Sequence, residues 1–85
     1  MRNLTFCASS WSDYKSLEKH QMKKADLLIS DIQRNGNIGI GHPEPLTGDK
    51  SGLWSRHIDE KNRIIYKVTD EEVLLYSLKG HYDDT

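Results

Sequence analysis

The sequence LWSRHIDEKNRIIYKVTDEEVLLYSL occupies residues 53–78 and decides the fold. It contains three runs rich in β-branched and aromatic residues, which are typical of strands. Polar spans of four residues, 59–62 and 69–72, separate the runs and have the length of hairpin loops. The runs are residues 53–58, 63–68 and 73–78. The stretch therefore predicts an antiparallel meander of three strands.

Upstream of the meander, the sequence predicts a strand and two helices. Residues 2–7 alternate apolar and polar side chains, as a half-buried strand does. An apolar stripe at helical spacing predicts an amphipathic helix over residues 10–20, and the stripe resumes over residues 22–36. The second stripe ends at basic and glycine residues that suit a helix C-terminus. Periodicity alone leaves open whether the two helices are separate.

The element order is β-α-α-β-β-β, which defines an α+β fold with two N-terminal helices packed on a twisted antiparallel sheet. Residues 36–52, between the helices and the meander, are rich in glycine and proline and are expected to form an ordered loop. The helices are expected to cover one face of the sheet. The other face is then left open for function.

Length and composition exclude several classes of protein. The 85 residues fit a single domain, 1–85. No apolar run approaches the ~20 residues needed to cross a bilayer, and the N-terminus lacks the apolar region of a secretory signal. A cytoplasmic protein with no membrane partner is therefore expected. Cys7 is the single cysteine, and the histidines have no metal-ligand spacing, so neither a disulfide, a metal nor a cofactor is expected.

The net charge of -1 argues against nucleic-acid binding driven by bulk charge. Acidic residues are concentrated in the segment 70–85, whereas residues 1–69 are mildly basic. A contact with RNA would therefore depend on a local arrangement of charges rather than on the average.

Glu44 is the first candidate for chemistry, because it lies between Pro43 and Pro45. The two prolines restrict the backbone on both sides of the carboxylate. Such a glutamate can act as a general base if its surroundings tune it toward the working pH. The alternative is a solvent-facing glutamate in a rigid turn.

Arginines on the predicted strands are the second candidates. Arg56 and Arg63 can bind a phosphate with paired hydrogen bonds, which the point charge of lysine cannot do. The alternative is a surface ion pair with Asp59 or Glu60. Strand alternation places Arg56 with Trp54 and Ile58, opposite His57.

Close to the C-terminus, His81 and Tyr82 place a side chain that titrates near neutrality beside a phenol. An acid or base role is one interpretation of this pair, and a solvated chain end is the other.

Together these fragments resemble the YoeB/Txe toxins of the RelE superfamily. The resemblance spans nearly the whole chain, and its specificity comes from the order and spacing of the fragments. They are Trp11-Ser12-Asp13-Tyr14, Gly41-His42-Pro43-Glu44-Pro45-Leu46, Ser51-Gly52-Leu53-Trp54-Ser55-Arg56, Asn62-Arg63-Ile64-Ile65-Tyr66 and His81-Tyr82.

The resemblance implies a microbial-ribonuclease-like fold and a ribosome-dependent endoribonuclease that cuts mRNA in the A site. It assigns catalytic roles to Glu44, Arg63 and His81, with Tyr82 beside the last of them. It also implies substrate-binding roles, which fall on Arg56, Tyr82, Lys50 and His57. No metal or cofactor is required. Family members usually have a lysine where this chain has Thr47, with Lys50 three residues on, and an arginine pair where it has Arg56-His57.

The implied partners are a cognate YefM/Axe-like antitoxin, the ribosome with its mRNA, and a second copy of the chain in a homodimer. Operator DNA would be bound only through the antitoxin complex. The alternative function is a catalytically weakened toxin-fold protein that acts mainly through antitoxin binding and transcriptional autoregulation.

Overall fold

The computed structural model describes residues 1–80, which form two helices and a five-stranded sheet. The strand order across the sheet is β1-β5-β4-β3-β2. The strands are β1 (Asn3–Phe6), β2 (Glu44–Pro45), β3 (Trp54–His57), β4 (Arg63–Val68) and β5 (Glu72–Ser77).

The helices are separate and form a hairpin, α1 (Ser10–Ser16) and α2 (Lys19–Asn35). The chain leaves helical geometry at Leu17, so α1 is shorter than expected from the periodicity. A capping box fixes the start of α2. The Glu18 side chain accepts a hydrogen bond from the backbone N–H of Gln21, and the Gln21 side chain accepts one from the backbone N–H of Glu18. Gly36, with a φ of 70°, ends the helix. No helix within residues 1–80 is both long and apolar enough to cross a membrane.

The predicted meander of β3, β4 and β5 is confirmed, and β4 has the predicted bounds. The sheet is mixed rather than wholly antiparallel, because β1 pairs with β5 in parallel. The helical hairpin carries the chain away from β1, so the first and last strands can lie side by side in the same direction. The predicted loop also contains β2, which pairs with the edge of β3.

The main core lies between the helices and one face of the sheet. The inward face of α2 and the inward residues of the last strands fill it, and its fully buried members include Leu28, Ile32, Ile64, Tyr66 and Leu75. Trp11 lies on the apolar stripe of the first predicted helix, a position that predicts burial, but its side chain is 49% exposed. Within residues 1–80, no helix covers the opposite face of the sheet, which carries the polar residues described next.

Candidate active site

Glu44 lies in β2, at the edge of the sheet. Its backbone faces Ser55 of β3, and its side chain is 58% exposed. The flanking prolines are tolerated because an edge strand can lack some ladder hydrogen bonds. His42, two residues before Glu44, has an unusual φ of 55°. Glu44 is thus a solvent-accessible carboxylate with a restrained backbone.

Strand register brings His57 and Arg63 onto the same face as Glu44. Residues directly opposite each other in an antiparallel ladder share a face, as do residues two apart on one strand. Glu44 pairs with Ser55, Ser55 is two residues from His57, and His57 pairs with Arg63. The three chemically active side chains therefore project from three adjacent strands.

Glu44 and Arg63 lie at the two ends of the candidate site. Adjacent strands are about 4.8 Å apart and Arg63 is offset from Glu44 by two residues along β3, or about 7 Å, so their backbones are separated by roughly 12 Å. His57 occupies the strand between them, and its Nε2 lies 3.7 Å from Glu44 Oε1. The arrangement places a carboxylate, an imidazole and a guanidinium in a row.

Two polar atoms on this face are buried without a hydrogen-bond partner in residues 1–80, namely Ser55 Oγ and Arg63 Nε. Buried polar groups are nearly always bonded, so such atoms are typical of a site that takes a ligand or water. Sequence reasoning missed Ser55. The available signal was strand alternation, which places Ser55 on the same face as His57.

Asp59, one of the two acidic residues named above as an ion-pair partner for the strand arginines, is bonded elsewhere. The Asp59 carboxylate accepts hydrogen bonds from the Gln21 side chain and from the backbone N–H groups of Lys61 and Asn62. Desolvation acts to raise the pKa of Asp59, but these hydrogen bonds lower it overall below its usual value. Asp59 therefore stabilises the β3–β4 turn.

Arg56 requires a correction, because it does not reach the open face. Its side chain is fully buried, and its guanidinium is held among α2, the loop after it and β4. Nε donates to Tyr66 Oη at 3.0 Å, and the terminal nitrogens donate to the Asp31 carboxylate and to loop carbonyls. The carbonyls are those of Gly36, Ile38 and Ile40. Arg56 has no donor left for a phosphate, so its predicted substrate contact is wrong.

Arg56 instead fixes the loop that leads to Glu44. Asp31 completes the arrangement by accepting from Ile40 N at 3.2 Å. The loop passes so close to α2 that a Cβ on Gly39 would lie 1.8 Å from Asp31 Oδ2, and one on Gly41 would lie 2.5 Å from a methyl of Leu28. Sequence reasoning missed Asp31, since nothing local in α2 connects it with Arg56.

We expect acid stability to depend on Asp31. Desolvation acts to raise its pKa, but hydrogen bonds from Arg56, Asn35 and Ile40 lower the pKa overall. A carboxyl with a lowered folded-state pKa stabilises the fold above its unfolded pKa of about 4, and that contribution is lost as pH falls through the folded pKa. Thermal unfolding between about pH 7 and pH 2 should therefore show a smaller acid-induced fall in Tm for Asp31→Asn than for wild type. The exposed Asp49→Asn is the control, and identical pH responses of wild type and Asp31→Asn would contradict the assignment.

The other predicted site residues lie at the periphery or outside the described residues. Lys50 ends a short 3-10 helix, Gly48–Lys50, between β2 and β3 and is exposed. His81 and Tyr82 lie outside residues 1–80, so their predicted roles stay predictions. Arg63 N donates to the carbonyl of Gly80 at 3.2 Å, and His81 is the next residue in the chain.

The open face differs from the two cavities at the β1 side of the molecule. One of about 420 Å³ is lined by polar residues that include Arg2 and Glu71. The other, of about 410 Å³, is apolar and is lined by residues that include Phe6 and Trp11. Neither contains Glu44, and the side chains of Glu44 and His57 are exposed by 58% and 32% on the open face of the sheet.

Solved structures place this fold in a class. The chain is similar to "The structure of YoeB dimer from Staphylococcus aureus", with a TM-score of 0.87 and 38% identity over 95% of this chain and 98% of that chain. It is also similar to a chain of the "YoeB-YefM complex from Staphylococcus aureus", with a TM-score of 0.85 and 37% identity over 96% of this chain and 99% of that chain. The fold is that of a small α+β bacterial toxin.

Sequence comparison identifies the family. Residues 6–82 match the family described as "YoeB-like toxin of bacterial type II toxin-antitoxin system". "Toxin YoeB" of Streptomyces coelicolor is 40% identical over 82 residues, which cover 93% of this chain and 98% of that protein. The chain belongs to the YoeB-like toxin family of type II toxin–antitoxin systems, as the motifs predicted, and at a coarse level this family implies a nuclease.

Proposed function

We propose that this chain is a ribosome-dependent endoribonuclease that cleaves mRNA in the ribosomal A site and so inhibits translation. Glu44 and His81 divide the roles of general base and general acid, and Arg63 stabilises the charge that develops on the phosphate. His57, Lys50 and Tyr82 contact the substrate. The observation that carries the proposal is the alignment of Glu44, His57 and Arg63 on one face of the open sheet.

The proposed reaction is an attack of the ribose 2′-hydroxyl on the adjacent phosphorus. The base takes the 2′-hydroxyl proton while the O2′–P bond forms, and the acid protonates the 5′-oxygen while the P–O5′ bond breaks. The products are a 2′,3′-cyclic phosphate and a 5′-hydroxyl. A guanidinium beside the phosphorane stabilises its negative charge with charge-assisted hydrogen bonds. The reaction needs neither a metal nor a cofactor.

The proposed partners follow from the family and from the solved structures of relatives. A YefM/Axe-like antitoxin would hold the toxin inactive, as the complex from Staphylococcus aureus suggests. A second copy would form a homodimer, since a relative of 38% identity is described as a dimer. Operator DNA would be bound only through the antitoxin complex, and the ribosomal substrate places the activity in the cytoplasm.

The proposal is tested with ribosomes that hold a defined mRNA codon in the A site. We expect new mRNA 5′-ends within that codon, and a deoxyribose at the attacking nucleotide should slow their formation at least about 10³-fold by removing the nucleophile. Primer extension measures the ends, and the same mRNA with deoxyribose one codon downstream is the control. The absence of new ends would favour the weakened toxin that acts through antitoxin binding, and ends that persist with deoxyribose would contradict the mechanism.

A further inference from the structure

His57 lies between a carboxylate and a guanidinium on the open sheet face. Its Nε2 is 3.7 Å from Glu44 Oε1, and its backbone faces Arg63 across the β3–β4 ladder. The imidazole is 32% exposed, so both solvent and a ligand can reach it. A histidine gains or loses its charge between about pH 5 and 8, whereas an arginine keeps its charge throughout that range.

We propose that His57 is a proton-controlled phosphate contact, a role that rests on the ribonuclease function proposed above. In its protonated form the imidazolium pairs with Glu44 and presents a second positive charge beside Arg63 to an RNA phosphate. In its neutral form the site keeps the charge of Arg63 but loses the attraction from His57. Affinity for RNA therefore falls as pH rises, because the His57 side chain loses its positive charge.

The surroundings of His57 support this role. From β2 it faces Glu44, from β4 it faces Arg63, and from the loop before β2 it faces His42, whose ring centroid lies 5.7 Å away at an interplanar angle of 68°. Glu44 would attract an anionic ligand's counter-charge to this point, and Arg63 and His42 are the other groups in residues 1–80 that face the imidazole from neighbouring elements. A bound phosphate would add a second negative charge and thereby favour the protonated imidazole.

The position of the imidazole is also fixed by the backbone. His57 N donates to the carbonyl of Gly41 at 2.8 Å, which ties β3 to the loop that carries His42. The unpartnered Arg63 Nε and Ser55 Oγ lie on the same face. An anionic ligand at this point would meet the partly exposed His57 imidazole, above two buried polar atoms that have no hydrogen-bond partner in residues 1–80.

The test compares wild type, His57→Arg and His57→Gln in cleavage of ribosome-bound mRNA at about pH 6 and about pH 8. We expect the half-saturating concentration of wild type to rise about three- to tenfold between these values, as one partly exposed charged contact is lost. His57→Arg should change less than about twofold, and His57→Gln should bind weakly at both. His42→Gln, a matched change at the neighbouring imidazole, should keep the wild-type response. An equal rise in wild type and His57→Arg, or no rise in wild type, would overturn the proposal.

A measurement without RNA separates this proposal from the proposed function. If His57 and Glu44 form an ion pair, the Tm losses of His57→Gln and Glu44→Gln should be non-additive by about 1 to 5 °C at pH 6 and additive at pH 8. Additivity at both pH values would overturn the pair. If neither the wild type nor any variant cleaves mRNA, the proposed ribonuclease function is overturned instead. The comparison of Tm losses would still decide whether His57 and Glu44 form an ion pair.

Discussion

The Glu44→Gln variant is expected to cleave ribosome-bound mRNA about 10²- to 10⁴-fold more slowly than the wild type. Glutamine has nearly the same size and can keep the same place in β2, but its amide neither takes a proton as a base nor gives one up as an acid. The Glu44 side chain is more than half exposed and lies outside the core, so its replacement leaves the packing intact. The loss should therefore appear in the rate of the chemical step, measured at saturating protein in a single turnover.

Two controls separate this effect from a general defect. Glu71→Gln makes the same chemical change at an exposed carboxylate in the turn before β5, and we expect wild-type cleavage from it. The Glu44→Gln protein should unfold within a few degrees of wild type, as surface substitutions usually do. Cleavage at the wild-type rate by Glu44→Gln would contradict the catalytic assignment, and a large loss of thermal stability would indicate a structural role instead.

The meander was predictable because its signal is local. Each run of β-branched residues and each polar turn lies within a few positions of the next, and the structure confirms β4 over Arg63–Val68. The parallel pairing of β1 with β5 was not predictable in this way. That contact joins residues such as Asn3 and Glu72, and no short-range pattern specifies which edge strand accepts the N-terminus.

The candidate site was predictable in its residues more than in its geometry. The proline-flanked Glu44 and the strand residue Arg63 were identified from sequence, and the register brings them to one face. The two-residue strand that carries Glu44 was missed, because its prolines are typical of a loop. The contact between Glu44 and His57 depends on that strand and could not be anticipated.

Arg56 shows where an argument from residue type fails. Alternation had already placed it with Trp54 and Ile58, opposite His57, and those two apolar neighbours indicated a buried face. An arginine is rarely buried unless it is fully paired, which favoured the exposed interpretation. The pairing is supplied by Asp31, 25 positions away in α2, and by loop carbonyls.

Arg56→Met should destabilise the fold by about 3 to 5 kcal/mol, the cost of breaking a buried ion pair by removing one partner. Methionine fills similar space, so the loss comes from the Asp31 carboxylate and from the carbonyls of Gly36 and Ile40, which no longer have a cation to bond. A loss of this size is a large share of the roughly 5 to 15 kcal/mol by which small domains are stable. Urea unfolding measures it, and Arg34→Met, at an exposed arginine of α2, should change stability by about 0.5 kcal/mol or less.

The geometry of the guanidinium matters in addition to its charge. Arg56→Lys keeps the positive charge but cannot bond the phenol, the carboxylate and the carbonyls of the loop together. We therefore expect Arg56→Lys to remain well below wild type in stability, and Asp31→Asn combined with Arg56→Met to lose less than the sum of the two single losses. If Arg56→Lys were as stable as wild type, the charge alone would hold the loop. That result would contradict the inference that the hydrogen bonds of the buried Arg56 guanidinium position the loop leading to Glu44.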